Sequence, residues 1–578
     1  MRKPASCRKT VSRGRRRKIA SRGRCRKMVS RGREAPDMLG ETPLPTVPRK
    51  PRFWCKIGHT KSTPDRAAHP GPHGPGSVSV PQIYGKPETG PGRTAHLVFL
   101  LEAVLLVWLA AILPAAAAEP ARGIEPLEAQ PIAADCARDG RLLQRQAACA
   151  FGKDCYLVAW CDGSLQADRP TADIYAARID PRSGKSLDPA GIRVCGAPDL
   201  QERPAVAFDG TNFLVVWQDF RNGKDYDIYA ARVSPQGRVL DADGFPVICR
   251  PGNQARPAVA YAGGHFVVAW MDARQYPVYG VYAARVTTAG KVLDPEGRAI
   301  QIEDPAQIEK VMPPGKDWLG DRHYWWQGLS SRFQPCLASD GKTCLVTWLA
   351  DVHANKTTGH TAVLDPASLE VLGSPVQLSG EPRDRLAACP IPGGWAVAFD
   401  HWIAGWGYAA RMATLRLDDE GRPRDEIVDQ PGRKHLLPVA PLLDVQGALG
   451  GPRAGDYQQG KGHFAFWQAG VACAAKQAVV VMDFGWRTPQ QVNELNYAVV
   501  ATRLSTGDGR FLDNPPLVLA SGSMASGRSV RRPVIAADPE GAPEGRFLVV
   551  YENDLGIDRL GLEGRVLRLV PTLRVGTH

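Results

Sequence analysis

Three stretches of the chain repeat one another. Arg203–Cys249 begins RPAVAFDGTNFLVVWQDF and continues DIYAARVSPQGRVLDADGFPVIC. From Arg256 the chain reads RPAVAYAGGHFVVAWMDAR, then VYAARVTTAGKVLDPEGRAI. An imperfect copy starts at Arg145 with RQAACAFGKDCYLVAWCDG. Self-similarity at a period of about 50 residues marks a repeat architecture, in which one unit cannot bury its own faces and must be covered by its neighbours.

Each unit divides into four short strands. In the Arg203 copy these are Ala205–Phe208, Phe213–Trp217, Asp227–Val233 and a last strand around Phe245–Cys249. Asp209-Gly210 suits a tight hairpin turn, and Pro235-Gln236-Gly237 turns the third strand into the fourth. The run FLVVW has no polar alternation, so it fits a strand covered on both sides. Helices are excluded because the apolar runs are short and Gly and Pro interrupt them. A repeated four-stranded antiparallel unit is the blade of a β-propeller.

Fainter copies follow at Phe333–Leu378, Arg385–Val428, Ala469–Leu519 and Arg532–Leu569, which makes seven, with six as the alternative because the sixth copy is the weakest. The second strands end on Trp160, Trp217, Trp270, Trp348, Phe399, Met482 and Tyr551, a column of large apolar residues suited to packing between blades. The seventh copy lacks a fourth strand. Glu125–Ala134 resembles one, so an N-terminal strand is expected to close the last blade and remove an exposed edge. The expected fold is all-β, with residues 119–570 as the propeller.

The ends differ in character. Residues 1–93 form a basic, Pro/Gly-rich tail with too little apolar content for a core. Up to Ala95 there are 23 Lys/Arg and 5 Asp/Glu, a net of +18, so the rest of the chain carries 13 − 18 = −5. This charge pattern would suit an anionic surface or nucleic acid. A start site set too far upstream is the preferred reading, and no nucleic-acid partner is expected. Residues 94–118 hold an apolar run, His96–Leu113, followed by an A-x-A pattern, as in a secretory signal peptide. The protein is therefore expected outside the cytoplasm, as a monomer, with membrane attachment only if 97–113 stays uncleaved. Residues 571–578 are a short tail without an assigned role.

Ten of the 13 cysteines follow residue 119. Cys149/Cys155 and Cys336/Cys344 span first hairpins and are candidates for disulfides in an oxidising compartment, with buried thiols as the alternative. No C-x-x-C pair supports zinc, and no cofactor motif is present. The LDADG, LDPAG and LDPEG segments would suit calcium, a solvated turn being the preferred reading.

If strand direction alternates, loops from second to third strands share a face with loops between blades. That face receives nearly all the insertions, and so Trp318, His323, Trp325, Trp326, His401, Trp402, Trp406, Trp486 and Arg487 are the candidate ligand-binding residues. Aromatics interleaved with polar groups suit a glycan or a protein ligand. If the chain is instead an enzyme, Asp321, Asp400, Asp483 and Glu494 are the candidate carboxylates for glycoside cleavage. The recurring Asp162, Asp219, Asp272, Asp400 and Asp483, and the recurring Arg178, Arg232, Arg285, Arg411 and Arg503, are read as blade braces, since an active site is needed once.

VVWQDFRNGKDYDIYAARVSPQG resembles the repeats of secreted bacterial β-propeller proteins and, more loosely, the sialidase-type propellers, over roughly Glu125–Leu569. The resemblance implies the fold. In sialidases it would also imply an arginine cluster for a carboxylate, a tyrosine nucleophile with a glutamate partner and an aspartic acid. No clear S-x-D-x-G-x-T-W box is present here, and no catalytic residue transfers by motif. A non-enzymatic binding propeller is the first expectation, a sialidase-like hydrolase or lyase the second.

Overall fold

The computed structural model describes residues 123–136, 142–163, 171–276, 278–311, 332–352, 356–378, 382, 386–403, 407–424, 464–474, 477–488, 491–506, 511–513, 515–539, 541, 545–556 and 559–570. They form an all-β propeller arrangement of five hydrogen-bonded sheets, with one helix among the described residues, Pro305–Val311. Three sheets are simple four-stranded antiparallel units. One of them runs Gln201–Phe208, Phe213–Asp219, Asp227–Val233 and Phe245–Ile248, as the repeat pattern predicts. The other two sheets are larger and contain stretches joined by one or two parallel residue pairs, Gly407↔Phe464 and Arg559↔Leu142 with Leu560↔Leu143.

The second strands explain why a single unit needs neighbours. Every residue of Phe213–Asp219 is buried. Phe213, Val215 and Trp217 pack with Leu157 and Ala159 of the preceding repeat, while Leu214 and Val216 pack with Phe266, Val268 and Trp270 of the following one. The alternating side chains of one strand thus enter two different cores. All seven members of the large apolar column are buried. The expected N-terminal strand is present as Ile124–Pro126 and Gln130–Pro131, both antiparallel to Arg559–Leu569.

The repeated arginines are structural clamps. Arg178, Arg232, Arg285 and Arg503 each grip an aspartate of their own third-to-fourth turn, Asp188, Asp241, Asp294 and Asp513, at 2.8 Å in the closest contact of every pair. Arg178 and Arg232 reach further, to the carbonyls of Pro235 and Thr288 in the next repeat, and Arg285 reaches that of Ala367. The aspartates of the LD-x-x-G segments are therefore arginine partners.

Arg411 does not belong to this column. It lies opposite Phe399, where Tyr175 lies opposite Trp160, and Thr414 takes the position of Arg178. The YAAR similarity slips three residues out of register here. The tie to the next repeat comes from Arg416, which donates to the Thr506 carbonyl.

These clamps predict acid lability. Burial alone would raise the Asp241 and Asp294 carboxyls, but hydrogen bonds from Arg232 and Arg285 outweigh it and hold both below the usual aspartate range. Groups lowered in the folded state stabilise it above their unfolded pKa of about 4 and lose that contribution as pH falls through the folded values. Unfolding midpoints measured from pH 7 to pH 2 should fall below about pH 4, and the fall should be shallower for Arg232→Ala. Parallel pH curves for the two proteins would remove this account.

None of the ten cysteines among the described residues is joined in a disulfide. The register explains why the two expected pairs do not meet: Cys149 faces Val158 while Cys155 faces Gly152, and Cys336 faces Thr347 while Cys344 faces Ser339. Burial pushes the Cys161 and Cys344 thiols up to about 12.

Candidate functional site

The first strand of most repeats carries a bulge. Two residues oppose one at Gln146-Ala147, Arg203-Pro204, Arg256-Pro257, Gln334-Pro335 and Arg532-Pro533, and each pair lies opposite the large residue of the second strand. The first residue of each pair has a left-handed backbone, with φ between 51° and 56°. In four of the five pairs the second is proline, which brings no N–H that the interrupted ladder would leave unpaired.

The N–H of the first bulge residue is turned out of the ladder and needs another acceptor. The preceding repeat supplies it. Glu552 accepts from Gln146 N at 2.8 Å, Gln146 Oε1 from Arg203 N at 2.9 Å, and Gln218 Oε1 from Arg256 N at 3.0 Å. Asp483 accepts from Arg532 N at 2.8 Å with one oxygen and from Gln468 N at 2.6 Å with the other.

These bulges line a cavity of about 730 Å³ between the first strands. Its described lining residues include Arg203, Arg256, Arg531, Arg532 and Tyr497, and among the described residues Asp483 is the one carboxylate of this wall. Outside the wall the fully buried Glu552 pairs with Arg532 at 3.2 Å and Arg531 at 3.5 Å. Arginine guanidinium groups along a cavity wall suit an anionic occupant, through charge-assisted and often bidentate hydrogen bonds. The sequence signal for this site was the recurring Arg-Pro or Gln-Pro dipeptide, which opens four of the copies but reads as a strand start when bulge geometry is not considered.

Of the residues expected to bind or react, Trp318, Asp321, His323, Trp325, Trp326 and Trp406 lie outside the described residues. The backbone of His401 and Trp402 falls in the strand Gly394–Ile403, that of Trp486 and Arg487 in Gln477–Thr488, and that of Glu494 in Gln491–Leu504; their side chains lie outside the described set. The expected loops at these places are therefore mostly paired strand. Ile403 faces Gly407 and Thr488 faces Gln491, so long hairpins satisfy backbone groups that an open loop would leave to water.

Asp400 and Asp483 separate from the other aspartates of their presumed column. They follow the large residue by one position, whereas Asp162, Asp219 and Asp272 follow it by two and so point to the opposite sheet face. Asp219 and Asp272 accept from the indole N–H of Trp217 at 2.7 Å and Trp270 at 2.8 Å and hold Arg221 and Arg274. Asp400 and Asp483 are both buried.

No family model matches the chain, and no curated protein matches it. Similar solved structures exist. A protein of unknown function from Dyadobacter fermentans DSM 18053 is 13% identical, with a TM-score of 0.39, over 77% of this chain and 99% of that one. A subtype N10 neuraminidase-like protein of A/little yellow-shouldered bat/Guatemala/060/2010 is 9% identical, with a TM-score of 0.33, over 77% and 100%. A thermostable family-43 glycoside hydrolase is 12% identical, with a TM-score of 0.29, over 50% and 95%. The resemblance is one of fold alone.

Proposed function

We propose that the chain is an exported, seven-bladed propeller that binds an acidic glycan, without turnover, where its first strands begin. Seven innermost strands can be followed in order from Leu142–Gly152 to Ser529–Asp538, each neighbouring the next and the last neighbouring the first. On this reading the two larger sheets each combine two blades, and Ile124–Pro126 closes the ring. Export rests on the apolar segment before residue 119. Trp318, Trp325, Trp326 and Trp402, expected from the sequence to share a face, are kept in this proposal as its stacking residues.

The observation that carries the binding reading is the use made of Asp483. Both its oxygens accept backbone N–H groups of neighbouring first strands, an arrangement suited to bracing and not to proton transfer. The arginine-lined cavity beside it then selects charge.

Binding measured across uronate-bearing, sulfated and neutral glycans, with hydrolysis followed in parallel, tests this. Acidic glycans should bind, with no release of product. Arg256→Ala should weaken them about tenfold or more, since a hydrogen bond to a charged group contributes about 1.5–3 kcal/mol. Equal binding of neutral glycans that ignores Arg256→Ala would overturn the reading. Turnover lost in Asp400→Ala or Asp321→Ala would replace it with the hydrolase.

A further inference from the structure

One repeat lacks a plug that the two preceding repeats possess. In two repeats Trp217 and Trp270 donate to Asp219 and Asp272, and an arginine two residues further along grips that aspartate and lies over a tyrosine ring. Arg221 sits 3.9 Å from the Tyr229 centroid and Arg274 sits 4.0 Å from that of Tyr282. A turn glycine completes the plug, because a Cβ on Gly244 or Gly297 would come within 2.4 or 2.6 Å of the indole.

The repeat from Arg332 to Gln377 keeps the stack and loses the rest. Trp348 lies opposite His360, with rings 5.6 Å apart at 11°. Ala350 stands where the aspartate would be and Val352 where the arginine would be, and the turn is Asp365–Glu370, without glycine. A cavity of about 450 Å³ results, lined by Gln301, Arg332, Trp348, Thr358, His360 and Gln377 together with Ala350 and Pro375. Trp348 is 2% exposed.

The chemistry of the wall limits what enters. The slot that holds a guanidinium elsewhere has lost its carboxylate and gained Arg332, whose charge Glu303 balances at 2.8 Å. Burial and the charge of Arg332 push His360 down to about 4, so the ring is neutral at pH 7, and it shares a 2.8 Å hydrogen bond with Thr358 Oγ1. A cation is therefore disfavoured, and no net charge calls for an anion. Two amides, a hydroxyl and an indole N–H match groups that both donate and accept, while Trp348, Ala350 and Pro375 supply an apolar side.

We propose that this cavity is a second binding site, for a neutral pyranose ring, with Trp348 Nε1 and the amides of Gln301 and Gln377 as hydroxyl partners. It stands apart from the arginine-lined cavity and does not depend on that site's ligand.

The full chain, labelled with ¹⁵N in its indoles, tests this by titration with the methyl pyranosides of glucose, galactose, mannose and N-acetylglucosamine. The Trp348 indole signal, assigned by its absence in Trp348→Phe, should shift with at least one of them. Gln377→Ala, at an exposed position, should weaken that sugar about tenfold while leaving the unfolding midpoint unchanged. Ala350→Asp with Val352→Arg, which rebuilds the plug of the two preceding repeats, should abolish the shift. Arg256→Ala should leave the shift intact, which separates failure here from failure at the arginine-lined cavity. A Trp348 signal unmoved by all four sugars, or one that saturates equally in Gln377→Ala, would overturn the proposal.

Discussion

Asp483→Ala is expected to lower stability by about 2 kcal/mol, because two half-buried N–H donors each lose an acceptor, at the low end of the about 1–3 kcal/mol that a buried donor costs. The residue is 1% exposed, and its two oxygens hold Gln468 N and Arg532 N at 2.6 and 2.8 Å. It thereby braces adjacent first strands. Asp483→Asn keeps one acceptor oxygen and should lose about half as much. Urea unfolding midpoints of the three proteins provide the measurement. A catalytic carboxylate would behave differently: the asparagine variant would keep the parent midpoint and lose turnover.

Trp270→Ala should cost about 3–5 kcal/mol, the usual penalty for emptying a large aromatic site in a packed core. Trp270 is fully buried, contributes to the core shared with Leu214 and Val216, and donates to Asp272. Trp270→Phe keeps much of the packing and removes only the donor. Arg274 still grips Asp272 at 2.7 Å, so the loss attributable to the missing hydrogen bond should be about 1 kcal/mol. Tyr276→Ala, at 57% exposure, is the control. If thermal unfolding ranks Trp270→Ala beside that control, the column of large residues is not what joins the repeats.

Much of the fold was legible because its signals are local. The FLVVW type of run announced a strand covered on both faces, Asp209-Gly210 announced the hairpin, and Glu125–Ala134 announced a strand in need of a partner. Repetition then multiplied each weak signal. The site was less legible. Arg203 and Arg256 were visible as repeat positions, but nothing local said that a bulge would carry them to the wall of a shared cavity. The loops expected around Trp402 and Trp486 proved to be strand because their backbones find partners across long hairpins, a preference that composition does not encode.

Three readings turned on register. Asp400 and Asp483 looked like Asp219 in the sequence, yet one residue's difference places them on the opposite face. Arg411 looked like Arg232, yet three residues' difference gives its position to Thr414. Cys149 and Cys155 looked bridgeable, yet their partners are Val158 and Gly152.

By itself the chain's sequence determined what each repeat is: four short strands, turns at Gly and Asp, an apolar second strand that no isolated unit could cover, and an end strand resembling a missing one. Those follow from the conformational preferences and burial of neighbouring residues. Only the tertiary structure decided which side chains meet, because facing alternates with every residue along a strand and each bulge resets that alternation. The acceptors for the bulge N–H groups, the arginine-lined cavity and the unplugged slot at Trp348 all arise between repeats, where residues distant in the chain are brought into register.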